Sequence, residues 1–247
     1  MTFGRRLAAL RIMMRGEEQI MKTLDLIIFD CDGVLIDSEI IGIRLTVSLL
    51  NQHGVDIDVA EFTRLYSGLD WDALIGRVRQ DSGVSLPANI GEDFYPRLMA
   101  RFASELERIE GSMEVVSTIA TPKCICSNSG SEQLDTVLTQ VGLKSLFAPH
   151  VYSAKDLGPG RGKPEPDIFL HGARQFNARP GNTLVIEDSV HGVMAAKRAG
   201  MYVVGFTGGT HTTADHASRL IGAGADVTID SLYRLPEEVE RFRRGAS

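Results

Sequence analysis

Leu24-Asp25-Leu26-Ile27-Ile28-Phe29, running into Asp30-Cys31-Asp32-Gly33, decides the fold. A short apolar run closed by acidic residues and glycine reads as a strand buried on both faces, with its polar groups at the C-terminal end. The pattern recurs. Lys123-Cys124-Ile125-Cys126 ends in Ser127-Asn128-Ser129-Gly130, and Thr183-Leu184-Val185-Ile186 ends in Glu187-Asp188-Ser189. Runs at 150–153, 202–206 and 226–229 complete a set of candidate strands. Helical periodicity lies between them, over 131–141, 166–176 and 190–199. Strands alternating with helices predict an α/β fold, a Rossmann-like parallel sheet covered on both faces. Ligands bind such sheets beyond the carboxyl ends of the strands, where all these polar clusters fall.

The stretch 37–110 breaks that rhythm. It reads as consecutive helices over 40–52, 61–66, 71–81 and 91–109, separated by turns such as His53-Gly54 and Ser67-Gly68. It is a small all-helical unit inserted after the first strand, which leaves 21–36 and 111–247 as the core. Residues 1–20 carry Arg5, Arg6, Arg11 and Arg15 but no acid before Glu17. They lack the uncharged apolar core and cleavage site of a secretory signal and read as a disordered extension.

Composition narrows the partners. The chain has 247 residues and a net charge of −6, so it shows no basic footprint for nucleic acid. No apolar run reaches the roughly 18 residues of a membrane span, and no membrane partner is expected. Three cysteines make no even framework, and Cys124 and Cys126 stand one residue apart, unlike a C-x-x-C pair. They read as reduced thiols of a cytoplasmic protein, a monomer or weak homo-oligomer.

The strand ends carry the chemistry. Asp30 and Asp32, two apart on an extended chain, point the same way. Adjacent carboxylates repel unless a cation or a shared proton compensates. Glu187 and Asp188 bring the edge to four acids, a cluster costly to bury alone. Oxygen-only ligands suit Mg²⁺. Ser127 and Asn128 read either as an anion seat at a helix start or as a helix cap. Lys163 closes a glycine-rich loop, but Leu157 and Pro164 stand where a phosphate-binding P-loop needs glycine and Ser/Thr. No G-x-G-x-x-G follows the first strand, and the six histidines show no paired ligand spacing for zinc. His191 reads as a helix-surface residue.

In this order the clusters resemble the haloacid dehalogenase superfamily. The matching stretches are Phe29-Asp30-Cys31-Asp32-Gly33-Val34-Leu35-Ile36-Asp37-Ser38-Glu39, then Ser127-Asn128, Gly162-Lys163-Pro164-Glu165-Pro166-Asp167, and Val185-Ile186-Glu187-Asp188-Ser189 with Gly192. The branch resembled is that of the β-phosphoglucomutase-like sugar-phosphate phosphatases, including 6-phosphogluconate phosphatase-like enzymes, and the helical insertion corresponds to the family's small cap. The resemblance implies that Asp30 attacks phosphorus and forms an aspartyl phosphate. It implies that Asp32 acts as acid and then base, and that Ser127, Asn128 and Lys163 bind the phosphoryl group. It implies Mg²⁺ held by Asp30, the carbonyl of Asp32, Asp188 and Glu187.

Departures select within the family. Asp32 is the second acid that dehalogenases lack. No lysine lies between Lys22 and Lys123, which removes Schiff-base phosphonate cleavage. The mutase histidine twelve positions after the nucleophile is here Gly42. The expected activity is therefore Mg²⁺-dependent hydrolysis of a small phosphorylated metabolite, a phosphosugar or phosphosugar acid. The alternatives are a β-phosphoglucomutase-like phosphotransferase and a non-catalytic sugar-phosphate sensor. In the cap, Arg44, Arg64 and Arg77 are candidates for pairing with an acidic substrate, and Trp71 for stacking on a sugar.

Overall fold

A computed structural model describes residues 21–69 and 71–245. The expected extension at 1–20 lies outside the described residues. Six strands form one parallel sheet in the order β3-β2-β1-β4-β5-β6. They are β1 (Leu26–Phe29), β2 (Lys123–Ser127), β3 (Val151–Ser153), β4 (Thr183–Glu187), β5 (Tyr202–Phe206) and β6 (Val227–Ile229). The central strand β1 is buried at every position and pairs with β2 on one side and β4 on the other. Alternation along it sends Ile27 and Phe29 into one apolar layer and Leu26 and Ile28 into the other. Each such side chain contributes about 1.5–3 kcal/mol on burial, which pins the strand and the acids that follow it.

Four helices fill the insertion after β1, as the sequence predicts: α1 (Glu39–Gln52), α2 (Val59–Tyr66), α3 (Trp71–Ser82) and α4 (Phe94–Glu105). Asp58 caps α2, its carboxylate accepting from the Glu61 N–H at 2.7 Å. These helices own a separate apolar cluster that includes Leu50, Phe62, Tyr66, Ile75 and Val78. The expected helix over 91–109 is shorter at both ends. Its last residues are drawn into a stem, where Asp37 N–H donates to Glu107 O (3.0 Å) and Ile109 N–H to Leu35 O (3.0 Å). The two chains joining cap to core thus run side by side as a short antiparallel bridge between Ile36 and Arg108.

The core helices are α5 (Ser112–Thr118), α6 (Ser131–Gln140), α7 (Lys144–Phe147), α8 (Asp167–Gln175), α9 (Val190–Arg198), α10 (His216–Ala223) and α11 (Leu235–Arg243). The sequence reading did not anticipate α5, α7, α10 and α11, which are short or lie beyond its last motif. No described helix is long and apolar enough to cross a membrane.

Candidate active site

The ends of β1, β2 and β4 and the loop before α8 meet at the floor of one cleft. Lys163 stands at the centre. Its Nζ lies 2.6 Å from Asp30 Oδ1 and 2.6 Å from Glu187 Oε1. Asn128 places the lysine, its Oδ1 accepting the Lys163 N–H at 2.9 Å. Glu187 in turn is fixed through Oε2, which accepts from the N–H (2.8 Å) and hydroxyl (2.9 Å) of Ser189. The Ser189 hydroxyl also caps α9 by accepting from Gly192 N–H at 3.0 Å. Glycine is required there, because a Cβ at Gly192 would lie 1.7 Å from Glu187 Oε1.

Asp30, Glu187 and Asp188 are all buried, and one oxygen from each lies within 4.8 Å of the others. Burial raises the Asp30 carboxyl well above the usual range; the Lys163 ammonium opposes this, and Glu187 and Asp188 add to it. Asp188 is raised for the same first reason, and Glu187 reinforces it. Burial works against the Lys163 charge, but Asp30 and Glu187 outweigh it and hold the ammonium above the ordinary lysine range. One cation thus faces three buried carboxylates, an excess of negative charge that a proton or metal ion must offset. The donor set is all oxygen and fits a hard divalent cation.

Asp32 stands apart from that trio. Its Oδ1 accepts from the Ser38 hydroxyl (2.7 Å) and its Oδ2 from the Ser129 hydroxyl (2.7 Å), with Ser127 Oγ more distant at 3.5 Å. Ser127 and Asn128 do not cap α6. That cap is Gly130, without a side-chain bond. The Ser127 hydroxyl instead accepts the Ser129 N–H at 3.0 Å.

Above this floor opens a cleft of about 1340 Å³, lined by core and cap together. Trp71 lines it and packs on Phe94, with ring centroids 4.8 Å apart. The structure does not bring Arg44, Arg64 or Arg77 to the cleft lining. Arg77 Nε pairs with Asp81 at 2.8 Å and Arg64 lies 3.9 Å from Glu61, both on the outside of their helices. Arg44 is exposed between buried Ile43 and Leu45, so it takes the outer arc that the apolar residues of α1 leave. His191 is exposed, as expected, but at the cleft.

Several residues here escaped sequence reasoning: Ser38, Ser129, Lys155, His211, His216 and Arg219. Ser129 carried a signal, since it lies two positions beyond Ser127. His211 lies in the irregular stretch after β5, and His216 and Arg219 lie on α10, a helix the sequence reading did not anticipate.

Known proteins match this arrangement. The family model of haloacid dehalogenase-like hydrolases matches residues 24–200. A 6-phosphogluconate phosphatase of Escherichia coli strain K12 is 31% identical over 210 residues, 81% of this chain and 94% of that protein. The fold is similar to a haloacid dehalogenase-like protein of unknown function from Agrobacterium tumefaciens (TM-score 0.85, 47% identity, 87% of this chain and 97% of that one). It is also similar to a hydrolase of the same family from Deinococcus radiodurans, solved with bound phosphate and sodium (TM-score 0.80, 30% identity, 90% and 98%).

Proposed function

Since the chain belongs to the haloacid dehalogenase-like hydrolases, we propose that it is a Mg²⁺-dependent phosphatase of phosphosugars or phosphosugar acids, working through an aspartyl phosphate on Asp30. The observation that carries this reading is the cleft floor. A buried carboxylate, Asp30, lies beside an ammonium and two further acids, with a second aspartate held separately for proton transfer.

In this mechanism Asp30 attacks phosphorus, and the bond from phosphorus to the ester oxygen breaks. Asp32, oriented by Ser38 and Ser129, gives its proton to the departing oxygen. It then takes a proton from the water that attacks the phosphoryl-aspartate, which releases phosphate and restores Asp30. Lys163 and Ser127 meet the phosphoryl oxygens, and Lys163 offsets the repulsion between two anions. Mg²⁺, held by Asp30, Glu187 and Asp188 with the Asp32 carbonyl, would supply further positive charge at the phosphoryl group. That the Deinococcus relative was solved with bound phosphate and sodium supports a reading in which this family takes both an anion and a cation. Residues 37–110 act as a cap that closes on its stem to exclude water. The buried, unpaired thiols support a cytoplasmic setting.

The E. coli relative favours a phosphosugar acid as substrate. Lys155 and Arg219 line the cleft and make no ion pair among the described residues, so they are the cations free to meet a carboxylate. Gly42 counts against mutase chemistry, because it lines the cleft with no side chain to move a proton.

The test is phosphate release from a panel of phosphosugars and phosphosugar acids, with Mg²⁺, with EDTA, and with Asp30→Asn. The expected result is release that needs Mg²⁺ and vanishes in the variant, fastest on an acid. No release from any ester by the Mg²⁺-loaded chain would overturn the reading.

A further inference from the structure

Asp188 is gripped from two sides by a segment that the proposed mechanism leaves idle. After β5 the chain runs through 207–215 into α10. His211 Nε2 lies 3.2 Å from Asp188 Oδ2, and its side chain is only 9% exposed. His216 Nε2 lies 2.7 Å from the main-chain oxygen of Asp188. The two rings meet edge to face at 5.6 Å. Between β5 and these rings, Thr210 reaches the start of the cap stem. Its N–H donates to Asp37 Oδ1 (3.2 Å) and its hydroxyl to Asp37 Oδ2 (2.6 Å).

The space for His211 is made by glycines. A Cβ at Gly33 would fall 1.9 Å from Asp188 Oδ2 and 3.1 Å from the His211 ring, and one at Gly209 2.7 Å from the same ring. The other ring nitrogen, Nδ1, is buried with no partner among the described residues. Leaving a polar atom unpaired costs free energy. Among the described residues the nearest polar contact of this tightly packed ring is at Nε2. The nitrogen that faces the Asp188 carboxyl, 3.2 Å from Oδ2, is Nε2.

We propose that His211 is a positioning residue for the metal site: its Nε2–H holds Asp188 Oδ2, so that the other Asp188 oxygen faces the cation, while Thr210 ties this clamp to the cap stem at Asp37. The inference rests on the reading of Asp30, Glu187 and Asp188 as a Mg²⁺ site. Partners that orient metal ligands from behind typically contribute 10- to 100-fold in metal affinity. Neither histidine touches the substrate's phosphorus in this scheme, so the effect belongs to metal binding.

The experiment is titration of metal-stripped full-length protein with Mg²⁺ by calorimetry, alongside the Mg²⁺-induced rise in Tm. Wild type is compared with His211→Ala and His211→Gln. The expected result is about 10- to 100-fold weaker Mg²⁺ binding in the alanine variant. Glutamine, whose Nε2 can stand where the imidazole Nε2 stood, restores most of it. The Mg²⁺ concentration needed for half-maximal phosphate release shifts in parallel, with kcat at saturating Mg²⁺ largely kept. Equal Mg²⁺ affinity in wild type and a folded His211→Ala overturns the proposal and leaves the phosphatase reading standing. Failure of the wild-type chain to bind Mg²⁺ overturns both. Should alanine not fold, His211→Gln against His211→Asn decides, because asparagine falls short of Asp188; equal affinities of these two overturn the proposal.

Discussion

The two walls of the cleft differ in kind. On the core side, charged groups are interlocked: Lys163 bridges Asp30 and Glu187, Asn128 holds Lys163, Ser189 holds Glu187, and His211 and His216 hold Asp188. On the cap side the lining is largely apolar, with Ile43, Phe62, Trp71, Leu74 and Phe94. Some of its polar atoms are spent locally, as Thr46 and Thr63 donate to carbonyls of their own helices and Tyr66 to Asp81, but Ser38 donates to Asp32, Glu39 faces the core acids and His211, and Ser67 Oγ is buried without a partner among the described residues. The core wall is preorganised for charge and the cap wall for shape. Under the proposed reading, a phosphosugar acid's second charge would be met from the core, by Lys155 or Arg219, and the cap would cover the carbon skeleton.

A single methyl group gives the sharpest contrast, because glycine lies inside a helix on both sides. In α9, Gly192→Ala would drive a Cβ into Glu187 Oε1. The Glu187 carboxylate must leave Lys163, and breaking one side of a buried ionic network costs about 3–5 kcal/mol. The expected outcome is a loss of that size in denaturant unfolding of the metal-free protein, with phosphate release reduced to background. Unchanged stability would mean that the core wall yields more readily than its packing implies.

The same contrast governs what could be read from the sequence. The core site was legible because strand ends restrict side-chain direction. An apolar run fixes which residues close it, and a parallel sheet gathers those ends at one edge. Asp30, Ser127, Glu187 and Asp188 follow from that geometry, and Lys163 joins them through the resembled motif. The cap arginines were not legible. A helix offers a full circle of directions, and Ile43 and Leu45 flank Arg44 as though the whole stretch were core. Only the packing of α1 against its neighbours decides which arc remains outside. The stem at 107–109 was missed because its partner, 35–37, lies across the whole insertion, beyond the reach of local periodicity. His211 and His216 carry their signal in a contact with Asp188 that no spacing rule expresses.

A smaller effect tests where specificity lies. Arg219→Gln removes a cleft cation that makes no salt bridge among the described residues and that the proposed phosphoryl-transfer steps do not use. A hydrogen bond to a charged group contributes about 1.5–3 kcal/mol, and solvent access at this exposed site favours the low end. KM for a phosphosugar acid should therefore rise about tenfold, the equivalent of about 1.4 kcal/mol. kcat and the KM for a neutral phosphosugar should hold. Equal losses on both substrates would place Arg219 in general binding, and no loss on either would move the second-charge site to Lys155. The cap variant Arg77→Gln is the control, since Arg77 is engaged with Asp81 outside the cleft.

The smallest effect completes the comparison of walls. Gly76 lies within α3 of the cap and is exposed, and a methyl group added there would meet nothing within 4 Å. Alanine there loses less backbone freedom on folding, so Gly76→Ala should stabilise the cap by about 0.5–1 kcal/mol. The readout is a modest rise in Tm, with phosphate release unchanged at every substrate concentration. A fall in kcat with no change in KM would carry a different lesson. It would show that opening of the cap limits turnover, and that the flexibility of α3 serves the apolar wall as fixed charge serves the core wall.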